Sequence, residues 1–387
     1  VPFPLLRWHC ARVGDVSVPS PMKLAIVAGE ASGDLHAASV LRELKTLVPE
    51  LQVFGIGGDL VRKEGAEILY HARDLGFVGF FNVLLHLPFF RRVFRSLMER
   101  VAAERPDAVL LVDYPGFNLR VARRASELGL KVIYFISPQV WAWNRRRVHD
   151  IARWVDHMIV ILPFEEQFYR EHNVRVTYVG HPLIDQVVGV KRPEKKDGRL
   201  RIALMPGSRR REVDDVLPAM LEAVAILRRE RELEPYIVQA PTIEHDHIEG
   251  MVAASGQAVP ILPRDRGEAL AAADVAISSS GTATLEAAVL GTPVVVMYRL
   301  GRLTYLLARW LVRLPYFSLV NIVAGRGVVP ELMQDEVTGE NIAAAVRELM
   351  APERYEQARA DMAEVRQKLG DRGASRRAAE AIMATLR

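Results

Sequence analysis

The sequence predicts an α/β fold made of two parallel-sheet, Rossmann-like domains that face a cleft. Three observations predict it. Short runs of Val, Ile and Leu alternate with amphipathic helical stretches through most of the 387 residues, and strands that are apolar at every position belong to sheets covered by helices on both faces. The alternation halts once, at 186–200, where charge, proline and glycine cluster, and then restarts. The polar, glycine-containing segments fall just after strands, where ligands bind in such sheets.

In the first half, strands are expected at 23–29, 52–58, 108–113, 131–137, 157–162 and 176–181, with helices at 33–47, 118–128 and 164–172. In the second half, strands are expected at 201–207, 235–241, 259–263, 274–280 and 293–299, with helices at 211–230, 266–273 and 282–290. The C-terminal stretch reads as helix with a break at Gly370. The expected organisation is an N-terminal domain over 22–185, a linker over 186–200, a second domain over 201–369 and a terminal helix over 370–387. Residues 1–21 have no basic start and no cleavage-site pattern, and are expected to be a disordered extension ahead of a start at Met22.

Composition narrows the function. Half the residues are hydrophobic and a quarter are charged, which is a globular mixture. Lys and Arg total 51 against 47 for Asp and Glu, a net charge of +4. That balance argues against a nucleic-acid partner. The single cysteine, Cys10, lies in the extension, so a disulfide framework, thiol catalysis and thiolate metal sites are not expected in the rest. No apolar run reaches the ~18 residues of a membrane span. A P-loop, a G-x-S-x-G elbow and a D-x-D pair are all absent, and His245 and His247 diverge at what reads as a solvated helix start. No cofactor or metal is expected. Phosphate handling then falls to arginine, helix N-termini and backbone N–H groups.

The first strand runs into Gly29-Glu30-Ala31-Ser32-Gly33-Asp34. Gly29, Ser32 and Gly33 let backbone approach a ligand, while Glu30 and Asp34 suit sugar hydroxyls or a supporting role. A tight turn capped by Ser32 or Asp34 accounts for the same residues. Asp113 ends the 108–113 strand among apolar neighbours, which would raise its pKa and make it a proton acceptor. Helix capping also fits, although Asn118 is better placed for it. After the next strand come Gln139, Trp141 and Trp143, then Arg145-Arg146-Arg147. The tryptophans fit sugar or acyl stacking and core packing equally.

The second half opens on a strand, then Gly207-Ser208-Arg209 and a helix start, a natural diphosphate site. Ser280, Gly281, Thr282 and Thr284 open another helix and can add hydroxyls and N–H groups. Glu286, one turn further, can accept both ribose hydroxyls. Six of the thirteen phenylalanines crowd into 77–94: Phe77, Phe80, Phe81, Phe89, Phe90 and Phe94. With Leu84, Arg91 and Arg92 they suit an anionic membrane interface that also admits acyl chains. A buried helix pair accounts for the same pattern.

Taken in order, AGEASGD, the Asp113 segment, SPQVWAW, LPFEEQFY, GHPLID, PGSR, SSSGTATLEAA and YFSLVNIVAG closely resemble the lipid-A-disaccharide synthase family over residues 22–387. That resemblance implies a GT-B glycosyltransferase fold whose last helix crosses back to the first domain. It implies metal-free, inverting transfer of 2,3-diacylglucosamine from UDP-2,3-diacylglucosamine to the 6-hydroxyl of 2,3-diacylglucosamine 1-phosphate (lipid X). The products are a β-1,6 disaccharide 1-phosphate and UDP. It places the catalytic carboxylate on Asp113, the nucleotide arginine on Arg209 and a late asparagine on Asn321. Tyr114-Pro115-Gly116 follows Asp113, where some members of the family carry a second acidic residue, which weakens a two-carboxylate mechanism. It further implies work at the cytoplasmic face of the inner membrane, and a homodimer. The rival readings are a lipid-carrier N-acetylglucosaminyltransferase, a UDP-N-acetylglucosamine 2-epimerase and a non-catalytic binding module.

Overall fold

The computed structural model describes residues 21–75, 86–193, 198–262, 266–301, 305 and 314–387. The 1–20 part of the expected extension, Phe77, Phe80, Phe81 and Leu84 lie outside the described residues.

The N-terminal sheet is parallel throughout, in the order β3-β2-β1-β4-β5-β6-β7. Its strands are β1 Lys23–Ala28, β2 Gln52–Gly57, β3 Glu67–His71, β4 Ala108–Val112, β5 Lys131–Phe135, β6 His157–Val160 and β7 Val176–Tyr178. The second sheet is also parallel, in the order β10-β9-β8-β11-β12-β13. It comprises β8 Leu200–Met205, β9 Leu233–Val238, β10 Ile261–Leu262, β11 Val275–Ser279, β12 Val294–Tyr298 and β13 Glu331–Met333. The central strands β1, β4, β8 and β11 are almost wholly buried, as their unbroken aliphatic runs require. β3 and β13 were not expected. Both are short edge strands carrying charge, so neither has the aliphatic run that marks a central strand.

Both strand orders reverse at the middle. In the first sheet the reversal lies between β1 and β4, and in the second between β8 and β11. Such a switch point opens a crevice beyond the carboxyl ends of two neighbouring strands. The helices that frame the crevices are α1 Ala31–Leu47, α2 Asp59–Lys63, α3 Leu87–Glu104, α4 Pro115–Glu127, α5 Arg210–Arg228, α6 Thr282–Val289 and α7 Leu319–Ala324.

Two further helices close the chain, α8 Pro352–Lys368 and α9 Ala374–Leu386, separated by Gly370 at φ +84°. α9 lies on the N-terminal domain. Thr385 Oγ1 meets His157 Nδ1 at 2.6 Å, and Arg376 Nη1 donates to Thr46 Oγ1 of α1 at 2.8 Å. The crossing is tied down where the chain reverses. His181 N–H donates to the Leu369 carbonyl, Tyr178 Oη to that of Lys368, and Asp185 accepts the N–H groups of Gly373 (2.8 Å) and Ala374 (3.2 Å) at the start of α9. Asp185→Ala should lower unfolding stability by about 1–3 kcal/mol, because two backbone donors lose a charged acceptor. Urea unfolding would check this, and amide exchange at Gly373 and Ala374 should rise with it.

Candidate active site

The N-terminal crevice is built around an unusual turn. Asp113 and Tyr114 follow β4 with φ of +49° and +50°, two successive left-handed residues. Neither is glycine, so the surroundings must hold them there. They do so through the Asp113 backbone. Its N–H donates to the Phe135 carbonyl at 3.0 Å. Its carbonyl accepts from Tyr134 Oη and from Asn118 Nδ2, both at 2.6 Å. Asn118 also donates to the Val112 carbonyl at 3.2 Å. Tyr114 occupies the N-cap position of α4 and makes no side-chain capping bond there, while Asn118 braces the turn from within.

Gly29 serves this turn too. A Cβ there would land on the Tyr114 ring, so the missing side chain makes room for that aromatic. Tyr114 Oη donates to the Leu75 carbonyl at 2.9 Å. With the backbone so held, the Asp113 carboxyl is left at the crevice. Burial, then the neighbouring Glu30 carboxylate, push its pKa up to about 6, against a smaller opposing effect from the Tyr114 N–H. Glu30 itself is exposed at the mouth of α1, and Ser32 is exposed beside it.

Asp34 has a different task. Its carboxylate accepts from the N–H groups of Gly58 (2.6 Å), Leu60 (3.0 Å) and Val61 (3.1 Å), so it caps α2 from the neighbouring helix. Gly33 is buried against Val112 and Ala28. Of the two roles weighed for Asp34, the supporting one matches this geometry.

Of the two readings of Trp141, core packing matches the structure. The residue is 6% exposed, packs edge-to-face on Phe164 at 4.8 Å and donates from Nε1 to Glu165 Oε1 at 3.1 Å. It is a core residue with a buried partner, and burial pushes that partner's carboxyl up to about 7. Gln139 remains exposed ahead of the short helix Val140–Trp143.

In the second domain the switch point brings the two predicted loops together. Gly207, at φ +123°, leaves so little room that a Cβ would stand 2.7 Å from Glu212 Oε2 and 3.1 Å from Ser279 Oγ. Glu212, which the sequence reading passed over, caps its own helix α5. It accepts from the N–H groups of Ser208 (3.1 Å) and Arg209 (3.3 Å), and from Arg209 Nη1 at 3.1 Å. Those two N–H groups are therefore not open to a diphosphate as expected. The Arg209 side chain is exposed, and Ser280, Gly281 and Thr282 line the start of α6, which has no acidic residue in its first turn. Glu286 is half-buried one turn on. Thr284 is buried and donates to the Gly281 carbonyl at 2.7 Å, so it shapes the turn without facing a ligand.

Asn321 is likewise turned inward. It is 1% exposed; Nδ2 donates to the Val329 carbonyl and Glu331 Oε1, and Oδ1 accepts from the N–H groups of Val328 and Val329. All four bonding positions of the amide are filled, which leaves none for a sugar. Tyr298, at the end of β12, stacks on Phe317 with ring centres 6.0 Å apart and feels the charges of Glu212 and Arg209. Phe317 belongs to the YFSLVNIVAG run, but nothing in the sequence pairs it with Tyr298 beside the arginine. Leu314 and Ile322 of the second domain meet Trp141, Arg145, Phe164 and Phe168 of the first around a space of about 270 Å³, so the carboxyl-end loops of the two domains face each other.

The Lipid-A-disaccharide synthetase family model matches residues 24–385. The lipid-A-disaccharide synthase of Myxococcus xanthus is 42% identical over 377 residues, covering 95% of this chain and 98% of that protein. That of Geobacter sulfurreducens is 40% identical over 373 residues, covering 94% and 97%. Among solved structures, a putative UDP-N-acetylglucosamine 2-epimerase from Listeria monocytogenes superposes with a TM-score of 0.65 at 17% identity, covering 94% of this chain and 96% of that one. The calicheamicin glycosyltransferase CalG4 gives 0.60 at 16% identity, covering 95% and 98%. The fold is therefore GT-B, shared by transferases and epimerases alike.

The raised Asp113 carboxyl has a consequence for stability. The folded chain keeps this proton up to about pH 6, the unfolded chain only to about 3.8. The folded state binds more protons in that window, so stability falls as pH rises through it. Asp113→Asn should stabilise the protein at neutral pH by about 1–3 kcal/mol, and the gain should vanish below the unfolded value. Paired urea titrations at the two pH values would test this.

Proposed function

The chain belongs to the lipid-A-disaccharide synthetase family, and from that membership we propose that it transfers 2,3-diacylglucosamine from UDP-2,3-diacylglucosamine to the 6-hydroxyl of lipid X. The observation that carries the mechanism is the Asp113 carboxyl, poised near pH 6 at the switch point of the first domain. The acceptor hydroxyl attacks the anomeric carbon from the face opposite UDP. Asp113 takes its proton as the new C–O bond forms, and the bond to the UDP oxygen breaks with its electron pair leaving on the diphosphate. One displacement inverts the anomeric centre.

Negative charge collects on the departing diphosphate. Arg209 would exchange its partner Glu212 for that phosphate, and Ser280 with the start of α6 would add donors. Tyr298 and Phe317 offer an aromatic face close by for the base. After burial, Glu30 adds to the rise in the Asp113 pKa, and its exposed carboxylate would be free to meet a sugar hydroxyl. The acyl chains call for a bilayer surface. No helix among the described residues is long and apolar enough to cross a membrane, and the segment from Phe77 to Arg92 would serve as a peripheral contact. Arg91 and Arg92 are exposed on α3 beside half-buried Phe89 and buried Phe90.

Purified protein mixed with both substrates in detergent micelles should yield the disaccharide 1-phosphate and UDP, read by mass spectrometry. No product from folded protein would overturn the reading. Asp113→Ala should lower kcat by about 10²–10⁴-fold, the usual contribution of a general base, while UDP affinity stays unchanged. The kcat of the wild type should rise with pH through about 6, as Asp113 loses its proton. A flat acid limb would remove Asp113 as the base.

A further inference from the structure

A groove of about 730 Å³ runs between α3 and α4 in the N-terminal domain. Its floor is apolar, formed by Phe94, Met98 and Phe117 among others. Its rim is cationic: Arg91 and Arg95 come from α3 and Arg120 from α4, with Glu99 the one acidic residue along it. Arg124 also lines the groove, but it pairs with Glu127, whose carboxylate it shares with Arg123. Arg91, Arg95 and Arg120 have no carboxylate partner among the described residues. Three unneutralised arginines over an apolar trough fit an amphiphile with an anionic head.

Position identifies which amphiphile. Tyr114 forms one end of the groove and directly follows Asp113. Arg120 stands six residues beyond Tyr114, about 9 Å along α4 at 1.5 Å per residue. A ligand with its hydroxyl at Asp113 would thus bring the far side of a sugar ring toward these arginines and its chain into the trough.

We propose that this groove is an acyl-chain subsite for the acceptor, and that Arg91, Arg95 and Arg120 hold the acceptor's phosphate. This rests on the reading of the chain as a transferase to a phosphorylated, acylated glucosamine. It adds the residues that distinguish a phosphorylated acceptor from an unphosphorylated one. The donor carries its phosphates at the other domain, so only the acceptor should depend on this rim.

The test is steady-state kinetics in neutral detergent micelles with 2,3-diacylglucosamine 1-phosphate and with the same sugar lacking its phosphate. For the wild type, removing the phosphate should raise the acceptor KM about 10- to 100-fold, the range for charge-assisted hydrogen bonds. Arg91→Ala/Arg120→Ala should show that rise with the phosphorylated acceptor and little further change without the phosphate, at an unaltered donor KM. Arg123→Ala, paired with Glu127 on the same helix, should behave as wild type. Ala102→Trp, which fills the far end of the groove, should penalise long-chain acceptors more than short-chain ones.

A double variant that still discriminates between the two acceptors as the wild type does would overturn the phosphate assignment. Unchanged chain-length preference in Ala102→Trp would overturn the groove. If the double variant lost binding to anionic vesicles yet kept its acceptor KM in micelles, the rim would serve bilayer phospholipid, and the proposal would fall. Should the wild type form no disaccharide, the transferase reading would fail separately. Fluorescence-anisotropy binding of labelled 2,3-diacylglucosamine 1-phosphate would then decide the groove, with binding indifferent to the arginines counting against it.

Discussion

The peptide carbonyl of Asp113 is the point on which the N-terminal crevice depends. Two consecutive left-handed residues outside glycine cost about 1–3 kcal/mol each, and no local preference of Asp-Tyr supplies that. The two short hydrogen bonds from Tyr134 and Asn118 to this carbonyl offset it, together with the space left by Gly29 for the Tyr114 ring. The result separates two functions within one residue. The Asp113 backbone is locked into the core of the domain, while its carboxyl faces the crevice with a single N–H for company. That division keeps the carboxyl basic enough to take a proton near neutrality.

Comparison with the other partly buried acids brings out the same logic. Asp34 caps α2 with three N–H bonds, Asp185 caps α9 with two, and Glu331 accepts from Phe317, Ser318 and Asn321. Each of these carboxylates has its oxygens met by donors. Asp113 has burial and a like charge instead. The second domain reverses the electrostatics, setting the Arg209 side chain and an acid-free helix start at its own switch point. A raised carboxyl at one switch point and cationic groups at the other fit the proposed reaction, which removes a proton and releases an anion.

Much of the architecture was legible in the sequence because buried parallel strands must be aliphatic at every position. β1, β4, β5, β8, β11 and β12 announce themselves in this way, and their order along the chain places the polar loops at carboxyl ends. β3 and β13 escaped because an edge strand is half-covered and tolerates Glu67, His71 and Glu331. At the site, Asp113, Arg209 and the Ser280–Thr282 turn stand where strand ends predict. Trp141, Thr284 and Asn321 share a feature that the sequence leaves open. Each is polar enough to suggest a ligand, but its polar atoms are met by Glu165, by Gly281, or by Glu331 and the 328–329 backbone. Residue type near a strand end does not reveal whether a hydrogen bond points outward or inward.

The sequence by itself determined the two parallel sheets, the break between them and the chemistry gathered at the strand ends, since hydrophobic periodicity and glycine-rich turns are local properties. Only the tertiary structure decided which of those polar residues face the crevice. It also determined that Glu212 caps the helix start expected to bind phosphate, and that Gly29 yields to Tyr114. It brought α3 and α4 together around an apolar trough rimmed with arginine. Those outcomes depend on contacts between segments distant along the chain, and no window of sequence contains both partners.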